Sequence, residues 1–69
     1  MFWLKKIEPQ PDGSNKITVH IESACCKQDL VFIEESNGKL FDMQTMTEAH
    51  QGAVEGINRA RREGLVWNK

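Results

Sequence analysis

The stretch "DLVFIEESNGKLFDMQT", residues 29–45, decides the fold of this chain. Two runs rich in β-formers flank Asn37-Gly38, the strongest short hairpin signal, because a type I′ turn needs positive φ at both central residues. Such a turn sets the register: Ser36 faces Lys39, Glu34 faces Phe41, Phe32 faces Met43 and Leu30 faces Thr45. One face then carries Leu30, Phe32, Phe41 and Met43. The opposite face carries Val31, Ile33 and Leu40, together with Glu35, Asp42 and Gln44, because side chains alternate along a strand.

Upstream, "KITVHIES" (16–23) alternates Ile17, Val19 and Ile21 with Thr18, His20 and Glu22. Period two with β-branched residues predicts a strand buried on one side. "FWLKKI" (2–7) reads as a first strand, ended by Pro9 and Pro11 within the turn-forming run "PQPDGSN". Downstream, the pattern changes to helical. Thr45 and Glu48 fit a capping box, with Thr47 as a competing N-cap. Gly64 suits the C-terminal stop, and Arg59, Arg61 and Arg62 suit the negative end of the helix dipole.

Along that helix Ala49, Ala53, Gly56 and Ala60 form a stripe of small residues, with Met46, Val54 and Ile57 beside it. The stripe allows close approach to the sheet face holding Phe32, Phe41 and Met43. Gly52 and Gly56 each lower helix propensity by about 1 kcal/mol relative to alanine, so the helix depends on its tertiary contacts. "LVWNK" (65–69) is either a short extra strand or a tail whose Leu65 and Trp67 fold back on the core. The predicted fold is α+β: an antiparallel meander of three or four strands with one C-terminal helix packed on one face. Residues 1–69 form a single domain.

A chain of 69 residues buries only about 60% of the surface its unfolded form exposes, so self-association is one route to added stability. Hydrophobic content of 39% and charged content of 28% fit a globular domain rather than a disordered one. Nine basic and ten acidic residues give a formal charge of −1, which supplies no global drive toward nucleic acid or anionic membrane. The apolar start, Met1 to Leu4, is too short for a signal core or a membrane span, so a cytoplasmic protein with no membrane partner is expected.

The order strand, Asn37-Gly38-Lys39, strand, polar bend, then a helix holding Gly56-Ile57 and ending in basic residues resembles the repeat unit of the YegP-like family of small bacterial proteins. The likeness covers residues 30–63. It implies a strand-strand-strand-helix unit and no established activity. The chain departs from that family at Thr45-Met46-Thr47, where a tyrosine-serine-lysine bend is usual, and it contains no tyrosine. The order of elements is also similar to three-stranded DNA-reading domains of phage integrases, whose sheets are more basic than one holding Glu22, Glu34, Glu35 and Asp42.

Cys25 and Cys26 are adjacent. Neighbouring Cα atoms lie about 3.8 Å apart, below the lower limit near 4.4 Å for a bridged pair, which argues against a disulfide. Only His20 and His50 offer further metal ligands, and no Cys-x-x-Cys is present. A turn with one cysteine tucked inward and the other near the surface is expected. His50 reads as a residue at the border of the apolar helical arc, and His20 as an outward, solvent-facing strand residue. No nucleophile, base and oxyanion set can be assembled, so no catalytic residue, cofactor or metal site is expected and the protein is read as non-enzymatic.

Two surfaces remain as binding candidates. Arg59, Arg61 and Arg62, with Lys69, form the basic cluster; they complement the helix end, with Glu55 to Arg59 as an i,i+4 pair, or hold an anion or nucleic acid. The outer sheet face carries Val31, Ile33 and Leu40, with Trp3 or Phe2 joining according to how the first strand pairs. A small monomer should not leave that patch wet, so either the "LVW" tail or another chain covers it. The expected function is an interaction module that self-associates through the sheet as a homodimer. The alternatives are nucleic-acid binding through the arginines, or a phage- or prophage-type inhibitor of a host protein.

Overall fold

The computed structural model describes residues 1–67. Five strands run in chain order as one antiparallel meander: β1 (Phe2–Pro9), β2 (Asn15–Glu22), β3 (Lys27–Glu34), β4 (Leu40–Asp42) and β5 (Thr47–Glu48). One helix, α1 (Gln51–Glu63), follows. This is the expected α+β architecture with a fifth, two-residue strand added.

The core lies between the inner sheet face and the helix. Ile17 and Val19 of β2, Phe32 of β3 and Ile57 of α1 are fully buried, and Ala49 and Ala53 join them. Period two in β2 thus does what alternation demands: every second side chain leaves water. Phe2, Leu4, Ile21 and Leu30 pack around this cluster as half-buried neighbours.

The β3–β4 hairpin differs from the sequence reading by one residue. Glu34 pairs with Leu40, Ile33 with Phe41 and Phe32 with Asp42. Gly38 has φ 91°, whereas Asn37 keeps a negative φ. The Glu35 N–H donates to Lys39 O and the Gly38 N–H to Glu35 O, both at 2.8 Å. The loop is therefore Ser36-Asn37-Gly38, a turn closed by a glycine bulge, with the Asn37 Oδ1 accepting from the Lys39 N–H at 2.9 Å. A three-residue loop in place of two moves every β4 side chain to the other face. Leu40 is consequently a core residue, only 6% exposed, and does not belong to the outer patch. Phe41 takes its place outside, and Met43 is exposed beyond the end of β4.

The helix also starts later than Thr45 or Thr47. Those residues and Glu48 belong to the β4–β5 hairpin, in which Asp42 pairs with Thr47 and Phe41 with Glu48. Met46 adopts the left-handed conformation at φ 57° and its N–H donates to Asp42 O. Its side chain is 64% exposed rather than set beside the helix stripe. The ladder continues when the Ala49 N–H donates to Leu40 O at 2.9 Å. His50 is the true N-cap, its Nδ1 accepting from the Ala53 N–H at 3.4 Å, so it is not a flank of the apolar arc. At the other end Gly64 stops the helix at φ 67°, as expected.

The small-residue stripe meets β1, not Phe41 or Met43. A Cβ added to Gly56 would lie 2.5 Å from Cδ1 of Phe2. Beyond Gly64 the chain returns to the outer edge of β1, where Leu4 and Val66 form a parallel bridge. The Leu4 N–H donates to Leu65 O, and the Trp67 N–H donates to Leu4 O, each at 2.8 Å. A bulge at Lys5 breaks the β1–β2 register next to this junction.

Candidate functional site

The outer sheet face is organised in rows across the strands. One row runs Glu8, Lys16, Ile33, Phe41, Glu48, and the next pairs Lys6, Thr18 and Val31. Val31, Ile33 and Phe41 are half-buried on this side, away from the helix. A shallow groove of about 220 Å³ runs beside Phe41, lined also by Glu35, Lys39, Leu40 and Glu48. Where β4 stops, the Gln44 side chain completes the ladder: its Oε1 accepts from the Val31 N–H at 2.7 Å and its Nε2 donates to Val31 O at 3.0 Å.

The far end of the same face is closed by the tail. Trp3 pairs with His20 across β1 and β2. Trp67 stacks on His20 with ring centroids 4.0 Å apart and 17° between planes, and its ring lies 5.1 Å from Trp3. His20 is therefore only 8% exposed, not solvent-facing. Its outward parity was legible from the alternation, but its cover comes from a residue forty-seven positions away (67 − 20). The His20 Nδ1 lies 2.8 Å from Asp29 Oδ1, and its Nε2 lies 3.8 Å from Glu22 Oε1. Hydrogen bonds from Lys5, whose Nζ is 2.7 Å from Asp29 Oδ2, and then from His20 hold the Asp29 carboxyl below its ordinary range. Trp3 is thus packed under the tail, whereas Val31, Ile33 and Phe41 form the accessible apolar part of the face.

The arginine cluster is largely engaged by its own chain. Arg61 makes a two-pronged contact with Glu34, Nη2 to Oε1 at 2.9 Å and Nη1 to Oε2. The Asn15 Nδ2 also donates to Glu34 Oε1, at 3.2 Å. Arg59 pairs with Glu63 at 2.9 Å rather than with Glu55. Arg62 has no ion-pair partner among the described residues, and Lys69 lies outside them.

The Arg61 hydrogen bonds hold the Glu34 carboxyl below its ordinary value, outweighing the opposing effect of burial. A depressed carboxyl contributes stability above the unfolded value near 4.3 and loses it as pH falls through the lower folded value. Glu34→Gln is expected to destabilise the chain by about 1 kcal/mol at neutral pH, a modest figure because Arg61 reaches solvent. In urea titrations repeated at lower pH the gap should begin to narrow below about pH 4 and close only under the lower folded value.

In the β2–β3 turn the Ser23 N–H donates to Cys26 O at 2.8 Å, and Ser23 through Lys27 are all exposed. Neither cysteine is tucked inward, because this turn projects beyond the part of the sheet that forms the core. Their sulfurs lie 3.0 Å apart, and Ser23 Oγ lies 3.8 Å from Cys25 Sγ. The hydrogen bond with Cys26, then that with Ser23, lowers the Cys25 thiol, and the same sulfur contact raises Cys26. Among the described residues no group of three or more His, Cys, Asp or Glu side chains is placed to hold a metal ion. No described helix is long and apolar enough to cross a membrane. Compared with known families, curated proteins and solved structures, the chain matches none.

Proposed function

We propose that the chain is a non-enzymatic interaction module that pairs with a second copy of itself through the outer sheet face. The observation that carries this reading is the row Lys16, Ile33, Phe41, Glu48, with Val31 in the row beside it. Two apolar residues stand at its centre with Lys16 and Glu48 on either side, and Glu8 lies beyond Lys16 on β1. A two-fold axis parallel to the strands, lying between two such faces, reverses the row. Lys16 of one copy then meets Glu48 of the other, and Ile33 meets Phe41. A surface that complements itself under a two-fold is what an isologous dimer requires. Among the described residues the Glu48 carboxylate meets one cation, Lys39 at 3.9 Å, with both side chains mostly exposed, so that contact can be exchanged. Nucleic-acid binding is the weaker reading, since Arg59 and Arg61 already face carboxylates of their own chain.

Light scattering over a range of concentrations tests the pairing. A dimer is expected, and Ile33→Glu should weaken it by at least about 2 kcal/mol, roughly thirtyfold, by placing an unpaired charge at the centre of the contact. Phe41→Glu is the independent second variant. A monomer at every concentration overturns the reading.

A further inference from the structure

We propose that Cys25 and Cys26 form a two-thiol chelating site for a trivalent, thiophilic p-block centre, of which a monosubstituted arsenical is the simplest example. Adjacent side chains on a strand point to opposite faces. Here the four-residue loop between the paired Glu22 and Lys27 brings both sulfurs to one side, 3.0 Å apart and open to solvent.

That separation selects the ligand. A direct bridge is disfavoured by the neighbouring Cα atoms, about 3.8 Å apart against a lower limit near 4.4 Å. Tetrahedral zinc needs further ligands, and among the described residues no third His, Cys, Asp or Glu is placed to help. A linear two-coordinate ion holds its thiolates on opposite sides, about 4.6 Å apart for bonds of about 2.3 Å. With bonds of that length, the observed 3.0 Å spacing subtends an angle of about 80° at the bound atom. A pyramidal centre carrying a lone pair holds its ligands near a right angle, so it is reached by a small opening of the two sulfurs.

The reaction is a ligand exchange without oxidation. Cys25, the thiol made more acidic by its neighbours, attacks first and Cys26 closes the chelate. Two arsenic–sulfur bonds form and two arsenic–oxygen bonds break. The two thiol protons leave with the hydroxides as two waters.

Phenylarsine oxide, which hydrates to the dihydroxy form, is the probe. Intact-mass spectrometry of the reduced full chain should show one adduct, heavier by one phenylarsenic unit less two hydrogens. The adduct should survive excess glutathione and be removed by a dithiol. Cys25→Ser and Cys26→Ser should each hold the probe at least about a hundredfold more weakly, since the second sulfur acts at high effective concentration. Both positions are exposed, so both variants should keep the parent's thermal transition. No adduct on the parent chain, or an adduct held equally well by either single-cysteine variant, overturns the proposal.

Discussion

Phe32→Ala is expected to abolish the cooperative unfolding transition at 25 °C. Phe32 is the largest fully buried side chain. It lies opposite Ile17 on β2 and in the same buried cluster as Val19, Leu40 and Ile57, so it joins three strands to the helix. Truncating a buried phenylalanine costs about 3–5 kcal/mol, through lost transfer free energy and the cavity left behind. A core in a chain this short supplies roughly 3–5 kcal/mol in total. The two quantities are equal within their spread, so the variant should populate the unfolded state even without denaturant. Far-UV circular dichroism against urea reads this directly. Phe32→Leu, which keeps most of the volume, should retain a transition at a lower midpoint. If Phe32→Ala unfolds as cooperatively as the parent, the core is not centred where the burial places it.

Gly56→Leu carries the second large effect, and its sign separates two opposing causes. Replacing a helical glycine gains about 1 kcal/mol of intrinsic propensity. Against this, even a Cβ would meet Cδ1, Cε1 and Cγ of Phe2 at 2.5–2.9 Å. Cγ sits at the base of the ring, so rotating the ring does not clear the space. The Phe2 side chain must swing out of the space beside the helix and give up its packing on the core. Overpacking of this kind costs about 1–3 kcal/mol, and a leucine belongs at or above the upper end. A net loss of about 2 kcal/mol is expected in urea denaturation. In a Phe2→Ala background the obstacle is gone, and the same substitution should be close to neutral. The resulting coupling of about 2 kcal/mol is the signature of direct contact. Additive effects would place the helix against some other part of the sheet.

Much of this fold was legible because β2 and the helix end obey single rules. Ile17, Val19 and Ile21 alternate without exception, and Gly64 stands where a left-handed cap is needed. The β4 register was not legible, for a physical reason. Leu40 and Phe41 are both large and apolar, so burying either one satisfies the hydrophobic pattern, and only the loop geometry chooses. Asn37-Gly38 is compatible with a two-residue or a three-residue loop, and here Ser36 joins it. The helix start misled because short polar residues serve hairpins as readily as caps. Thr47 and Glu48 were already committed to the sheet, leaving His50 to begin the helix. On the outer sheet face, the side taken by Val31 and Ile33 was legible from parity alone. The return of the 65–67 tail was an expected alternative, but the stacking of Trp67 on His20, which buries that ring, was not legible, because no local pattern says which residue the tail covers.

The bridge between Leu4 and Val66 also orders events in time. Hairpins between neighbouring strands close over a few residues and need nothing from the rest of the chain. The outer side of β1 has no such local partner. It must wait until the helix has crossed the sheet and carried residues 65–67 back to β1. Contacts this distant in sequence raise the contact order and slow folding, because the intervening chain must be gathered before they form. β1, which precedes the other four strands in chain order, is therefore among the last to be completed. While it waits, its unpaired backbone and the Trp3 ring face water, which leaves the β1 edge open to pairing with other chains.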